Sequence, residues 1–266
     1  MRYLQATPST AKVKLDIKDR KILSMLSANA RIPLTLLSRK VGLSRDAVNY
    51  RIRNYEKNGI IQGYRTMVDM SRLGYESVHM FMRLKNPSKD AEQKMLGKLI
   101  KHPAVRAIIK FSGNYDFEIA FVTKGIEDMD RTLTEIISCC SESLQDYELL
   151  TISKTFAAET FPKSFLDQKA EISIKKRTAG KADKKDLEIL KIIGEDAALP
   201  LYKIAEQVGL SADAVAYRIK NMASSGVIVK FIPVINYTSI GYSLHTVLLN
   251  INGLDEEKEK SLRGFL

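Results

Sequence analysis

The sequence predicts an α+β protein in which a winged helix-turn-helix precedes a ferredoxin-like βαββαβ domain, after which the helix-turn-helix recurs. Three observations support this fold class: an internal repeat, short helical patterns closed by a Gly-Leu-Ser turn, and alternating β-rich and helical runs. With 266 residues, the chain has the length of about two domains. Hydrophobic residues at 45% and charged residues at 27% exclude a wholly disordered or fibrous chain.

The repeat relates residues 41–54, VGLSRDAVNYRIRN, to residues 208–221, VGLSADAVAYRIKN, at an offset of 167. Eleven of the fourteen positions are identical, which is more than shared helix propensity produces. The same offset pairs Asp19 with Asp186, so the register continues beyond the motif. A duplicated unit is therefore predicted.

The first copy is longer than the second, because Leu266 corresponds to Leu99 and the first copy continues to about Phe161. The second α/β domain is therefore expected to be incomplete. Residues between the copies are rich in Lys and Arg, as in a solvated linker. The predicted parts are an N-terminal tail (1–14), a winged helix-turn-helix (15–73), a ferredoxin-like domain (74–161), a basic linker (162–182), a second winged helix-turn-helix (183–240) and the start of a second α/β domain (241–266).

The charge balance points to a polyanionic partner. The chain carries 42 Lys and Arg against 31 Asp and Glu, a net charge of +11, and such an excess favours polyanions such as nucleic acid. No apolar stretch approaches the length that spans a bilayer, so we expect a cytoplasmic protein with no membrane contact.

Metal and cofactor chemistry have little support. The adjacent cysteines Cys139 and Cys140 have neither disulfide geometry nor metal-ligand spacing. The histidines His79, His102 and His245 are scattered and form no Cys/His cluster. No catalytic triad or phosphate-binding loop is visible, so we predict no catalytic residue, no metal site and no cofactor.

The repeated motif has the punctuation of a helix-turn-helix. Gly42 permits the tight turn, and the Ser44 hydroxyl can cap the next helix, whose stripe of Val48, Ile52 and Tyr55 faces the core. The opposite side can contact base edges or phosphates in a major groove. One alternative is an ordinary basic surface helix. The candidate DNA-binding residues of this motif are Ser44, Arg45, Asn49, Tyr50, Arg51 and Arg53 in the first copy, and Ser211, Tyr217, Arg218 and Lys220 in the second.

After Gly59, two strand-like segments flank Gln62-Gly63 and predict a hairpin wing. Arg65 on this wing is expected to contact a phosphate, the alternative being a solvated strand residue.

Four β-rich runs and two helical patterns follow. The runs surround a turn at residues 112–115, where Asp116 can receive the ammonium group of a ligand or simply cap the turn. Their order predicts a ferredoxin-like sandwich. The predicted strands span residues 75–84, 104–111, 116–123 and 147–156, and the predicted helices span residues 89–101 and 127–140.

Three segments, VGLSRDAVNYRI, NGIIQGYRTMVDMSRLGY and SGNYDFEIAF, give the chain its resemblance to the Lrp/AsnC family of transcriptional regulators. The resemblance implies sequence-specific binding to double-stranded DNA and an amino-acid-sensing RAM-type domain. It also implies an effector site at Gly113, Asn114, Tyr115 and Asp116, and dimerisation through the sheet face. Because two copies share one chain, either a homo-oligomer or an intrachain pseudo-dimer is expected.

Two alternatives remain. Siroheme decarboxylases resemble this family and would make the protein an enzyme, but they are expected to carry histidine around the middle hairpin. Residues 110–118, KFSGNYDFE, contain none. The other alternative is a sensor or assembly module without DNA binding, and Ala212 and Ala216, which replace Arg45 and Asn49 in the second copy, leave it open.

Overall fold

The computed structural model describes residues 13–140, 143–153, 160–162, 165, 182–251, 253 and 255–265. These residues form two compact units that do not follow chain order. One unit contains the described residues of 64–153 and 182–231. The other contains residues 13–63, the described residues around Phe165, and the segment from residue 232 onward.

The first helix-turn-helix consists of α1 (Ile17–Ala28), α2 (Leu34–Val41) and α3 (Arg45–Lys57). Asp16 caps α1 through a capping box with Asp19, which satisfies two backbone donors at the helix start. Gly42 ends α2 in the left-handed conformation, with φ 70°, where a side chain would be strained. The predicted turn is therefore present.

The α/β domain has the predicted βαββαβ order. Its elements are β2 (Glu76–Leu84), α4 (Lys89–Leu99), β3 (Val105–Lys110), β4 (Phe117–Thr123), α5 (Gly125–Cys140) and β5 (Leu144–Thr151). The strands form one antiparallel sheet in the order β3-β4-β2-β5. The sheet packs against the two helices through Met80, Ile119, Leu99 and Ile136, all fully buried, as expected for a ferredoxin-like sandwich.

The two cysteines lie at the end of α5 as free thiols. Burial raises the pKa of Cys140 to about 12, so this thiol stays protonated at neutral pH. It packs in the core as a small apolar group.

The second helix-turn-helix repeats the first with α6 (Lys184–Glu195), α7 (Leu201–Val208) and α8 (Ala212–Ser225). Asp183 and Asp186 form the same capping box, and Gly209 ends α7 with φ 66°. The two helix-turn-helix segments thus share the same local structure.

The predicted hairpin wing is wrong. Each copy contributes one continuous strand, β1 (Ile61–Val68) and β6 (Ile228–Ile235), and the two strands pair as a two-stranded sheet. In one unit the Asn236 N–H donates to the Ile60 carbonyl at 2.9 Å, and in the other the Asp69 N–H donates to the Val227 carbonyl at 2.9 Å. A partner strand from the other copy supplies the hydrogen bonds that a second hairpin strand would have made.

The C-terminal part holds α9 (Glu256–Phe265), which corresponds to α4 at the repeat offset. Residues 243–251, the counterpart of β2, form no strand within the described part of the chain, and Leu244, Val247 and Leu249 are exposed.

Candidate nucleic-acid interface

The first recognition helix, α3, begins at a capped and accessible N-terminus. The Ser44 hydroxyl accepts a hydrogen bond from the Ala47 N–H at 3.1 Å. Arg45 and Arg53 are exposed and Asn49 is half-buried, and the Tyr50 side chain is 66% exposed. Within the described residues no acidic group pairs with either arginine, so both guanidinium groups are available to a partner.

The second recognition helix, α8, has the same frame and fewer polar side chains. The Ser211 hydroxyl accepts from the Ala214 N–H at 3.2 Å. Tyr217 is 66% exposed, the same value as its counterpart Tyr50, and Lys220 is exposed at the position of Arg53. The alanines at 212 and 216 remove two side chains with base-reading chemistry from this helix.

Arg51, a predicted DNA contact, has partners inside the domain. Its Nη1 lies 2.8 Å from Asp16 Oδ2 and 2.5 Å from Asp19 Oδ1, so it joins α3 to the capping box of α1. These hydrogen bonds raise the pKa of Arg51. Burial acts to raise the pKa of Asp16, but the Asp19 N–H and Arg51 outweigh it, and the pKa of Asp16 is lowered.

Arg218 makes the same connection in the second copy. Its Nη1 lies 2.7 Å from Asp183 Oδ2 and 2.9 Å from Asp186 Oδ1. The Asp186 N–H and then Arg218 lower the pKa of Asp183. We call Asp16, Asp19 and Arg51, and their counterparts Asp183, Asp186 and Arg218, the helix lock of each copy.

The two helix locks have different neighbours at one position of the recognition helix. In the first copy, the buried Tyr55 hydroxyl donates to Asp19 Oδ1 at 2.5 Å. Burial and this hydrogen bond raise the pKa of Tyr55. Met222 is the buried counterpart in the second copy and has no hydroxyl to donate.

A lysine from the first helix of each copy closes the turn before the recognition helix. Lys18 Nζ donates to the Val41 carbonyl at 2.5 Å, and Lys185 Nζ donates to the Val208 carbonyl at 2.8 Å. Both lysines meet carbonyls at a helix C-terminus, where positive charge is favourable. Each recognition helix is therefore fixed by contacts on both sides of its turn.

Arg65, the predicted phosphate contact of the wing, also has internal acceptors. Its guanidinium donates to the Glu195 carbonyl at the C-terminus of α6, and to the Tyr64 carbonyl at 3.1 Å. Nearby, the Thr66 hydroxyl donates to the Ile193 carbonyl at 2.6 Å. The side chain expected at a phosphate thus caps a helix of the second copy.

The candidate effector turn lies between β3 and β4. Gly113 and Asn114 are exposed, and the turn closes where the Phe111 N–H donates to the Asp116 carbonyl at 2.8 Å. Asp116 Oδ2 accepts a hydrogen bond from the Leu84 N–H at 2.7 Å. The capping interpretation of this carboxylate therefore has a direct structural basis.

Tyr115 is engaged with the neighbouring strands. Its hydroxyl donates to Glu148 Oε2 at 2.5 Å, and this hydrogen bond raises the pKa of Tyr115. The Arg83 guanidinium, bound to both carboxylate oxygens of Asp146 at 2.7 Å, lies 5.9 Å from the centre of the Tyr115 ring. The charged side chains beside the turn, Arg83, Asp146 and Glu148, thus all have hydrogen-bond partners.

The helix lock was missed in the sequence, although a signal was present. Asp16 and Arg51 recur as Asp183 and Arg218 at the repeat offset, which marks a pair of positions kept in both copies.

Among the described residues, no group of three or more His, Cys, Asp or Glu side chains is placed to hold a metal ion. No helix in the described part of the chain is long and apolar enough to cross a membrane.

Comparison with known proteins connects these features to a family. The sequence profile described as winged helix-turn-helix DNA-binding matches residues 15–62 and 183–229, one segment in each copy. The proline dehydrogenase transcriptional activator of Rhodobacter capsulatus is 36% identical over 125 residues, which cover 47% of this chain and 81% of the relative. The leucine-responsive regulatory protein of Rhizobium meliloti is 30% identical over 149 residues, covering 56% and 84%.

A solved structure of a siroheme decarboxylase, NirDL with an iron-uroporphyrin III analogue, matches with a TM-score of 0.52 at 15% identity. The match covers 82% of this chain and 65% of the decarboxylase chain. At this identity the likeness shows a shared fold only, whereas the regulators match at 30% identity or more over about four fifths of their length. The chain therefore belongs to the Lrp/AsnC family of transcriptional regulators.

Proposed function

We propose that this protein binds double-stranded DNA sequence-specifically and that its first recognition helix dominates base readout. The observation that carries the proposal is that Arg45 and Arg53 are both exposed on α3 and form no ion pair within the described residues. Asn49 and Tyr50 lie beside them on the same helix. Arginine and asparagine can each bond bidentately to a base edge, to guanine and adenine respectively. Arg53 and Lys220, together with Tyr50 and Tyr217, are the contacts that both copies can offer.

Besides its role in base readout, Arg53 is proposed as a phosphate contact, as is Lys220 at the same position of the second copy. Arg51, Arg218 and Arg65 have internal acceptors, so a phosphate would have to compete with those acceptors. The proposed DNA-binding surface is therefore confined to the exposed side chains of the two recognition helices.

Fluorescence anisotropy with duplex DNA over a salt series tests DNA binding. A protein that neutralises phosphates releases counterions, so the logarithm of the affinity should fall linearly with the logarithm of the salt concentration. Binding that is absent, or insensitive to salt, would support the sensor or assembly module instead.

We further propose that the two copies act as a pseudo-dimer within one chain, with one half-site for each recognition helix. The hydrogen bonds between β1 and β6 support this arrangement, because they join the two copies. Half-sites are expected about one helical turn apart, and they should be unequal because α8 lacks two polar readers. A footprint with equal protection of a perfect palindrome contradicts the pseudo-dimer proposal, and light scattering tests whether higher homo-oligomers form.

The amino-acid response is also a proposal. The name of the leucine-responsive relative describes a response to an amino acid, and Asp116 offers a carboxylate beside an exposed turn. An ammonium group would meet Asp116 while Gly113, Asn114 and Tyr115 shape the turn around it.

Asp116→Asn isolates the charge from the capping role, because the amide oxygen can still accept from the Leu84 N–H. Full-length protein should show a thermal shift with one of the amino acids, with about 2.7 kcal/mol of stabilisation at a hundredfold excess over Kd. The variant should lose that shift and keep its unliganded melting temperature. A normal response in the variant rejects Asp116 as the ammonium ligand.

The regulator is preferred to a decarboxylase because its support comes from sequence relatives and not from fold alone. His79 lies on β2 and pairs with Glu118 on β4, and His102, just before β3, pairs with Glu135 on α5. Anaerobic mixing with siroheme distinguishes the two functions. A spectral shift followed by decarboxylation would establish the enzyme.

A further inference from the structure

Phe165, which the sequence analysis assigned to the linker, is a buried anchor. Its side chain is 2% exposed and stacks on Phe161, with ring centroids 3.9 Å apart and an interplanar angle of 7°. A solvated linker residue would have no such partner. Phe161 and Phe165, at the end of the first copy, therefore form a packed aromatic contact.

Two tyrosines of the second copy surround this stack. Tyr237 meets Phe161 edge-on at 6.1 Å, and its hydroxyl donates to the Thr160 carbonyl at 2.6 Å. Tyr242 meets Phe165 at 6.1 Å. Aromatic pairs in these geometries are favourable beyond the area that they bury.

The first helix-turn-helix contacts the same stack. The Arg20 guanidinium, on α1, lies 5.4 Å from the centre of the Phe165 ring. Just before α1, the Val13 N–H donates to the Ser239 carbonyl at 2.9 Å. We call Arg20, Phe161, Phe165, Tyr237 and Tyr242 the aromatic clamp, and all five residues belong to one compact unit.

The positions of the two tyrosines can be compared with the first copy at the repeat offset. Tyr75 is the counterpart of Tyr242, and its ring has Lys124 Nζ at 4.5 Å from its centre. Met70 replaces Tyr237 at the corresponding position. The two tyrosine positions of the clamp thus differ between the copies, in residue type at one and in ring contact at the other.

We propose that Phe165 is a positioning residue that fixes the first DNA-binding domain to the segment following β6. Since residues 237–242 continue directly from β6, the clamp limits how far the first recognition helix can turn relative to that strand. This inference rests on the proposed function for its effect on DNA, and on the clamp geometry alone for its effect on the free protein.

Amide hydrogen exchange of the full chain without DNA tests the joint. In Phe165→Ala, the Val13 amide should exchange at least tenfold faster, while buried amides of α2 and α3 keep their rates. Phe161→Ala removes the other half of the stack and should act in the same direction. Phe111→Ala is the matched control, because it truncates a phenylalanine stacked on Phe81 in the α/β domain and leaves the clamp intact.

Phe165→Leu provides a milder change if the alanine variant loses its folded circular-dichroism spectrum, because leucine keeps most of the apolar volume but not the stacked ring. Faster Val13 exchange in the leucine variant supports the clamp. An unchanged Val13 rate in a folded Phe165 variant overturns it.

DNA with two half-sites at varied spacing then tests positioning. The wild-type protein should prefer one spacing over another displaced by about half a helical turn, and Phe165→Ala should reduce this preference at least tenfold. Affinity for a single half-site should stay within twofold. An unchanged spacing preference overturns the positioning role, whereas absence of DNA binding in the wild type rejects the proposed function and leaves the exchange experiment to decide the clamp.

Discussion

The two helix-turn-helix copies share their internal contacts and differ where they face a partner. The capping box, the lysine at the turn and the helix lock recur with the same atoms. Arg45 and Asn49 instead become Ala212 and Ala216. The helix lock therefore belongs to the scaffold, and an arginine on a recognition helix is not by that fact a DNA contact.

The substitution with the largest predicted effect removes the two side chains of the first recognition helix that the second one lacks. Arg45→Ala with Asn49→Ala should weaken cognate DNA binding by about 2 to 6 kcal/mol, since each bidentate base contact contributes about 1 to 3 kcal/mol. Anisotropy with cognate and random duplexes measures this effect. The variant is expected to resemble the second copy, and an equal loss on random DNA would show that these side chains do not read bases.

The next effect concerns an internal difference between the copies, the buried Tyr55 that corresponds to Met222. Tyr55→Phe should lower the free energy of unfolding by about 2 kcal/mol, because a buried hydroxyl bonded to a carboxylate is removed. Met222→Leu, at the corresponding position, should lower it by less than about 1.5 kcal/mol. Urea unfolding followed by circular dichroism compares them, and similar losses would mean that the hydroxyl has no special role.

The helix lock itself gives a pH-dependent effect. Arg51→Met should lower the free energy of unfolding by about 1 kcal/mol at pH 7, a value limited by the partial exposure of the pair. Arg218→Met should act in the same direction. Neither substitution should leave a buried unpaired charge, because the aspartates keep their backbone donors.

The lowered pKa values of the aspartates determine how this contribution to stability changes with pH. Asp16 and Asp183 have folded pKa values below the ordinary value of 3.8, so their contribution to stability is present above that value and is lost as the pH falls through the lowered pKa. Urea unfolding at pH 7 and near pH 2.5 should show the difference between wild type and each variant closing in acid. A difference that persists in acid would assign the loss to packing.

The smallest effect tests the arginine on β1. Arg65→Ala should lower stability by about 0.3 to 1 kcal/mol, because a cation at the C-terminus of α6 is lost. DNA affinity should remain within twofold on all sequences. Thermal unfolding and anisotropy measure the two quantities, and a uniform loss on cognate and random DNA would restore the phosphate role.

The repeat and the βαββαβ order were predictable because they depend on local periodicity and on short motifs such as the Gly-Leu-Ser turn. The partners of Arg51 were not, since a helical face shows where a side chain points but not that Asp16, 35 residues earlier, meets it. The pairing of β1 with β6 and the burial of Phe165 depend on contacts between the copies, which propensity does not encode. The last strand starts at Leu144 and not at Tyr147, because its polar first residues obscure the alternation.

Because β1 and β6 belong to one chain, their pairing should not depend on the protein concentration. In a dimer of two separate chains, such a strand pair forms in a bimolecular step and dissociates as the protein concentration falls. Here both strands belong to one polypeptide, so their effective concentration is set by the intervening chain and not by how many molecules are present. The joined state should therefore persist at nanomolar concentrations, with an occupancy that does not change with expression level.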